Sequence, residues 1–378
     1  MRSLVAILIF TYSFSHGKPK QDDHKIEDKI SFNEEKIKRQ IDSLNRTTPL
    51  DLIYTKEVGQ QIKFYLFKKP EQVSRLLALS NYYFPIFEEI LDKNNLPLEL
   101  KYLPIIESSL NPNARSYAGA VGLWQFMYLT AKEYGLRINT YLDERKDLYK
   151  STQAASSYLK KAYSKFNNWE LALASYNAGA RNITKAIRRS GGKMNYWELR
   201  PFLPKQTRNY IPSFIAAIYV MNFASDYNIY MDENNILKHE LIDSVYLQRS
   251  LKIEHLAELL NIKMSTIERL NPVYRINFVP FLKKEKFAII LPQDKIDKFL
   301  ATEDSIYMKL AEMEIAEKLQ YPDFTDIEKT RYTVKDGDYL GKIARKYNCS
   351  IKDIMLWNDL KTHKIYAGKR LNIYKTVK

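Results

Sequence analysis

Glu107 closes an apolar run over residues 98–106 and is followed by Ser108-Ser109-Leu110-Asn111-Pro112. The run reads as a helix approaching a core, so the carboxyl at its end is expected to be desolvated. Desolvation disfavours the charged form of an acid and raises its pKa. A carboxylic acid still protonated near neutral pH can donate a proton to a glycosidic oxygen. The ordinary alternative is a helix-terminal Glu satisfied by a backbone amide or an Arg. Most glycoside hydrolases set two carboxylates across the scissile bond, and the sequence near Glu107 supplies no second one. Asp143, Glu144 and Asp147 cluster further on, but among Arg137, Arg145 and Lys146, where ion pairing is the simpler role.

The elements that must position these groups are helical. Over residues 52–230 apolar side chains recur at three and four positions, as in Ile62, Tyr65, Leu66 and in Phe84, Phe87, Ile90, Leu91. Asn and Pro punctuate the pattern at Asn94-Asn95-Leu96-Pro97 and Asn111-Pro112. Ser151-Thr152-Gln153 opens a helix running to Phe166. A further helix over 169–176 ends at Asn177-Ala178-Gly179, where Gly suits a C-terminal cap. The stretch 212–226 is apolar nearly throughout and reads as the central buried helix. After Asp232 the texture changes: strand-like alternation at 241–247, two short helical patterns at 253–260 and 265–270, then a strand at 287–292. Residues 307–319 read as a charged helical spacer. The last unit repeats the order of strand, helix, helix, strand: Tyr332-Thr333-Val334, a turn at Asp336-Gly337-Asp338 with Asp338 as a helix cap, a second helix capped by Ser350, and Gly368-Lys369-Arg370-Leu371-Asn372-Ile373-Tyr374.

Three motifs carry a resemblance. Glu107-Ser108, then Gly119-Ala120-Val121-Gly122-Leu123-Trp124-Gln125-Phe126-Met127, then Ala174-Ser175-Tyr176-Asn177-Ala178-Gly179 resemble, in order and spacing, those of the lytic transglycosylases that share the goose-type lysozyme fold. The fit is closest to the membrane-bound murein transglycosylase D branch. It extends over about 58–226, through Asp143-Glu144-Arg145, Trp169, Trp197 and Thr207-Arg208-Asn209-Tyr210-Ile211-Pro212. The resemblance implies a lysozyme-like all-α catalytic domain in which Glu107 protonates the bridging oxygen and then, as carboxylate, deprotonates the sugar's own 6-hydroxyl. The ring closed that way is a 1,6-anhydro sugar. It also implies roles around that acid. Ser108 contacts substrate or only caps the following turn; Gln125 holds an N-acetyl group or hydroxyl; Phe126 and Met127 form an apolar floor. Tyr176 and Asn177 hydrogen-bond Glu107 or the N-acetyl group beside it, and Tyr210 closes the site. The unit over 331–375 resembles a LysM domain, a βααβ module that binds N-acetylglucosamine polymers, with Gly337, Asp338, Tyr339, Leu340, Ile365 and Tyr366 as the implied glycan contacts. Tyr339 stands where that family usually has Thr. The unit over 240–300 resembles a degenerate LysM, with Asn271-Pro272 where Asn358 sits.

The chain of 378 residues is therefore expected to be mainly α: a signal peptide at 1–17, a charged linker at 18–50, the catalytic domain at 51–232, the degenerate module at 240–300, a spacer at 301–330 and the LysM domain at 331–375. An apolar fraction of 45% supports sizeable cores. One cysteine, Cys349, allows no intrachain disulfide, and five scattered His residues offer no metal-ligand spacing, so no metal and no cofactor is called for. The net charge of +15 implies an anionic partner or environment. Residues 331–378 hold twelve Lys or Arg and four Asp, a local charge of +8. The expected partner is the peptidoglycan glycan strand rather than nucleic acid, and a monomer suffices. Arg2 before the apolar stretch 4–10, with Ser15 and Gly17 beyond it, reads as an export signal. No cysteine lies near that cleavage point and no later segment is long enough to span a membrane. An exported, non-lipidated protein of the periplasm or envelope is the expectation. A water-using muramidase of goose-lysozyme type and a non-catalytic wall-binding protein are the alternatives.

Overall fold

The structure is a computed structural model describing residues 32–139, 141–233, 242–281, 287–317, 327–347, 349–358 and 360–376. The stretch 1–17 and residues 18–31 of the expected linker lie outside the described residues. Residues 34–50, expected as linker, instead join the first domain. Helix α1 (Glu34–Asn45) buries Ile37 and Ile41. Its Gln40 donates to Asp226 at 2.7 Å and accepts from the Tyr219 hydroxyl at 2.7 Å. The charged residues that made the stretch look like linker are the solvent face of an amphipathic helix.

The first domain is predominantly helical. Thr55 caps α2 (Lys56–Lys68) by accepting from the Val58 amide, and Pro70 starts α3 (Pro70–Lys93), where a missing N–H does no harm. A 3-10 turn (Leu98–Tyr102) leads into the short α4 (Leu103–Ser108), and α5 (Tyr128–Glu133) follows an irregular loop. Helix α6 (Leu148–Phe166) begins three residues before the expected start, because Asp147 caps it through the Lys150 amide at 2.8 Å. Asn168 caps α7 (Trp169–Ala178), which ends on Gly179 at φ +81°. Helices α8 (Ala180–Arg189) and α9 (Tyr196–Leu199) lead to α10 (Tyr210–Phe223). The latter is buried on nearly all sides and packs on α2 and α7, as its apolar sequence required.

The middle module has the expected order of elements. Strand β1 (Ile242–Tyr246) pairs antiparallel with β4 (Ala288–Pro292), and between them lie β2 (Leu251–Lys252), α11 (Ile253–Leu260), α12 (Met264–Leu270) and β3 (Phe278–Val279). The first half of the expected spacer packs onto this module: after α13 (Gln293–Ala301), which buries Phe299, α14 (Glu303–Ala316) buries Ile306 and Leu310 in its core. The module is not a bead on a string. Leu142 of the first domain lies in the module's own core. The Asp143 amide donates to the Val273 carbonyl at 2.9 Å, and the Arg275 amide to the Tyr141 carbonyl at 2.8 Å.

In the last module β5 (Ile327–Thr333) pairs antiparallel with β6 (Arg370–Thr376), enclosing α15 (Leu340–Lys346) and α16 (Ile351–Trp357). Helix α16 lies against α5 of the first domain. Ser350 caps α16 reciprocally with Asp353. Asp338 does not cap α15; its carboxylate accepts from the Tyr332 hydroxyl at 2.5 Å and the Lys335 amide at 2.9 Å, closing the turn instead. The two modules share one internal device. The Asn358 side chain donates to Asn372 O and accepts from Asn372 N, and the Asn271 side chain does the same with Ile290. Among the described residues no helix is long and apolar enough to cross a membrane.

Because Leu142 is covered by the module, a chain ending at Glu233 should unfold at lower urea than one ending at Glu317. Uncovering one leucine side chain alone costs roughly 2 kcal/mol. Circular dichroism melts of the two truncations check this, and equal midpoints would refute the docking.

Candidate active site

Helix α4 delivers Glu107 to the surface of a buried layer made by Leu100, Leu103 and Ile105. The chain then reverses through two left-handed non-glycine residues, Ser109 at φ +53° and Leu110 at φ +57°. Such residues cost of order 1 kcal/mol each and persist only where packing holds them. Here the Ser109 amide returns to Ile105 O, the Leu110 amide to Pro104 O, Gln72 donates to the Ser109 hydroxyl at 2.9 Å, and Leu110 is buried. The Ser108 hydroxyl lies 3.0 Å from Pro104 O and 2.9 Å from Leu123 O. It therefore ties the acid-bearing turn to the next motif.

That motif is a loop without long regular structure, held by Val121 bridging both Arg115 and Phe126. Gly122 stands at φ +90°, and a Cβ there would lie 1.8 Å from the Arg145 carbonyl oxygen. Gln125 sits at φ +49° with its amide donating to Gly122 O at 2.9 Å and Ala114 O at 3.2 Å. Phe126 is buried and Met127 half-buried, and Trp124 is fully buried with its indole N–H on Thr152 at 2.9 Å. Behind the loop, buried Arg145 grips Asp143 at 2.8 and 2.7 Å and reaches the carbonyls of Gly119 and Phe126. Glu144 accepts from Arg137 and from Lys150 at 2.6 Å. Burial pushes the Glu144 pKa up, but those hydrogen bonds outweigh it and hold the carboxylate below its usual range. Lys146, expected to neutralise this cluster, instead donates to Asn113 at 2.8 Å; Lys150 fills that role from the first turn of α6.

The far wall is aromatic. Tyr210, first residue of α10, donates its hydroxyl to Glu107 Oε1 at 2.5 Å. The Tyr176 hydroxyl does not reach Glu107 but donates to Trp124 O at 2.8 Å, while its ring meets Phe126 and Tyr158 edge-on. Asn177 accepts from the Thr207 hydroxyl at 2.9 Å, also away from Glu107. Glu107 is half-buried, and desolvation pushes its pKa up to about 7 against the opposing Tyr210 hydrogen bond. Burial first, and the Glu107 charge second, raise both Tyr176 and Tyr210 well above the usual phenol, so both are neutral donors.

The comparisons with known proteins fit this geometry. Residues 84–197 match the transglycosylase SLT domain, residues 332–373 the LysM domain, and residues 242–308 the LysM-like domain of lytic transglycosylase MltD. The chain carries a transglycosylase SLT domain with two LysM-type modules. It is 29% identical over 290 residues to the membrane-bound lytic murein transglycosylase D of Escherichia coli K12, covering 74% of this chain and 61% of that one. This chain thus matches less than two thirds of that relative's length. A putative soluble lytic murein transglycosylase of Haemophilus influenzae is 32% identical over 148 residues, or 37% of this chain and 25% of that one. The solved 70 kDa soluble lytic transglycosylase of Escherichia coli aligns at 20% identity with a TM-score of 0.34, covering 48% of this chain and 32% of that one.

Glu107, Ser108, Gln125, Phe126, Met127, Tyr176, Asn177 and Tyr210 come from four separate segments, and of these Tyr210 is the one hydrogen-bonded to the acid. In the LysM domain Tyr339 and Tyr366 are 54% and 72% exposed and Ile365 is half-buried, whereas Leu340 is core. Gly337 supplies the positive φ of its turn, beside Asp338. Thr207, which holds Asn177, had no role assigned from sequence although it opens the Thr207-to-Pro212 motif. Lys150 was missed because only folding brings it back across the first turn of α6. Among the described residues no group of three His, Cys, Asp or Glu side chains is disposed to hold a metal.

The raised pKa of Glu107 has a sign for stability. A carboxyl whose folded pKa lies above its unfolded value stabilises fully when protonated, and that contribution is lost as pH climbs from the ordinary carboxylate range through about 7. Glu107→Gln keeps the Tyr210 hydrogen bond without the charge. At pH 8 it should be more stable than the parent by up to roughly 3 kcal/mol, with no gain near pH 4. Thermal melts at the two pH values check this; a pH-independent difference would contradict the burial of the carboxyl.

Proposed function

We propose that the protein is a lytic transglycosylase that cleaves the MurNAc–GlcNAc β-1,4 bond of peptidoglycan and leaves 1,6-anhydroMurNAc ends. The observation that carries this is one half-buried acid with a pKa near 7, held by a neutral phenol. In the nearby acidic cluster Asp143 and Glu144 are already in ion pairs with Arg145, Arg137 and Lys150, and Asp147 caps α6. Glu107 gives its proton to the bridging oxygen as the C–O bond breaks and an oxocarbenium-like centre forms. The Glu107 carboxylate, steadied by the Tyr210 hydroxyl, then takes the proton of the 6-hydroxyl as that oxygen closes on the anomeric carbon. The acid is regenerated and no water is consumed. A pKa near the working pH serves both transfers.

Gln125, with its amide nitrogen on the loop's own carbonyls, keeps its oxygen as an acceptor for an N-acetyl or hydroxyl group, and half-buried Met127, backed by buried Phe126, supplies apolar surface. Exposed Tyr339 and Tyr366 and the +8 charge of the last module favour attachment to a polyanionic glycan. A tethered second site raises local substrate concentration without joining the chemistry. A single acid needs no partner copy, so we read the working unit as a monomer. The wall substrate places it outside the cytoplasm, in keeping with the apolar stretch 4–10 and with the name of the membrane-bound relative.

Glu107→Gln should lower turnover on purified sacculi by ~10²–10⁴-fold while folding and glycan binding persist. Mass spectrometry of the fragments released by the parent protein decides the chemistry: 1,6-anhydro ends support the lyase, and reducing MurNAc ends would replace it with a hydrolase. Turnover within a few-fold of the parent would remove Glu107 from the mechanism. Deleting 331–378 should weaken pelleting with insoluble peptidoglycan and flatten its salt dependence, since exposed charges are screened over ~10 Å at 0.1 M salt. Cleavage of short soluble glycans should change little; its loss would make the LysM domain part of the active site.

A further inference from the structure

Where the middle module meets the SLT domain, the two enclose a cavity of about 390 Å³, within the ~300–1,000 Å³ range of ligand sites. It is distinct from the catalytic cleft but adjacent to it. Leu123 lines it, and the Leu123 carbonyl also accepts the hydroxyl of Ser108, next to Glu107. Four cations and two carboxylates line the cavity. Arg137 and Lys150 are engaged by Glu144, which leaves Lys146 from the SLT domain and Arg269 from the module. Lys146 reaches only the Asn113 side chain, and among the described residues neither cation has a carboxylate at ion-pair distance. Burial depresses the Lys146 pKa, so its ammonium lacks the solvation that an anionic ligand would replace. The other lining carboxyl, Asp147, is pushed upward by burial while accepting from the Lys150 amide. Tyr149 and Tyr246, one from each side, are 53% and 58% exposed and offer ring surface.

We propose that this intermodule pocket binds the carboxylate-bearing peptide of the glycan strand held in the cleft. Arg269 and Lys146 take the carboxylate, and Tyr149 and Tyr246 pack on the peptide's apolar and sugar-proximal parts. The inference rests on the wall-cleaving function above and adds a specificity determinant to it: the enzyme distinguishes strands that carry peptides from strands that do not.

The test compares the full-length protein with its Arg269→Glu and Tyr246→Ala variants on two substrates, peptide-bearing glycan strands and strands stripped of peptide. Reversing the charge of Arg269 should lower kcat/KM on peptide-bearing strands roughly tenfold through KM. Tyr246→Ala should give a smaller loss in the same direction, and both variants should cleave stripped strands like the parent. An unchanged kcat/KM on peptide-bearing strands, or an equal loss on both substrates, overturns the pocket's role. A parent protein that releases no 1,6-anhydro ends from either substrate would instead sink the wall-cleaving reading, so the two failures are distinguishable.

Discussion

The SLT domain is organised around an unfavourable placement, a carboxyl taken partly out of water and met by one phenol rather than by a cation. A short helix cannot hold such a group by itself. Helix α4 has six residues, below the length at which helices are stable alone. Its position comes from what surrounds it: two left-handed residues that turn the chain sharply away, a serine hydroxyl shared between carbonyls, and α10 bringing Tyr210 from 103 residues further along. Each of these fixes the carboxyl in the one place where burial raises its pKa without leaving it unbonded.

The loop facing Glu107 has the opposite problem, being irregular backbone beside a core. Buried carbonyls need donors, and Arg145 supplies them to Gly119 and Phe126 while Asp143 neutralises its charge. Buried ion pairs add little net stability against apolar replacements, but breaking one partner away costs about 3–5 kcal/mol. Arg145 and Asp143 are therefore best understood as fixing the register of the loop. Gly122 belongs to the same device, since its missing Cβ lets the Arg145 carbonyl approach. The same segment then docks the middle module through Leu142 and the Asp143 amide. One stretch of chain thus backs the catalytic loop on one side and carries a LysM-type module on the other. That makes the module a wall packed on the SLT domain, in contrast to a tethered anchor.

Much of this was legible in the sequence. The apolar run before Glu107 announced a desolvated acid, the spacing of Ile62, Tyr65 and Leu66 announced helices, and Asn271 in the place of Asn358 announced a second module, whose side chain makes the same paired bonds. What the residue pattern did not carry was long-range pairing. Asp338 looked like a helix cap because a cap and a turn-closing carboxylate share the same local sequence, and only the Tyr332 hydroxyl decides between them. The resemblance gave Tyr176 a hydrogen bond to Glu107 or to the N-acetyl group beside it, whereas its hydroxyl here donates to the Trp124 carbonyl. The helix 303–316 looked like a spacer because its charged residues dominate, although Ile306 and Leu310 bury it.

On the proposed mechanism, the choice of partner for Glu107 follows from the two proton transfers asked of it. A second carboxylate beside it would raise the pKa further and leave too weak an acid for the first step. An arginine would lower it and leave no proton for the first. A tyrosine hydroxyl gives a bond that favours the charged form modestly, enough to offset part of the desolvation and bring the pKa to about 7. The phenol must not lose its own proton, and its burial together with the Glu107 charge ensures that it stays neutral. Tyr176 and Tyr158 complete the logic from behind. Their hydroxyls donate to the carbonyls of Trp124 and Ser175, so the aromatic wall brings no charge and no competing acid to the cleft. A site built this way can pass one proton out and take one back with a single ionisable group changing state.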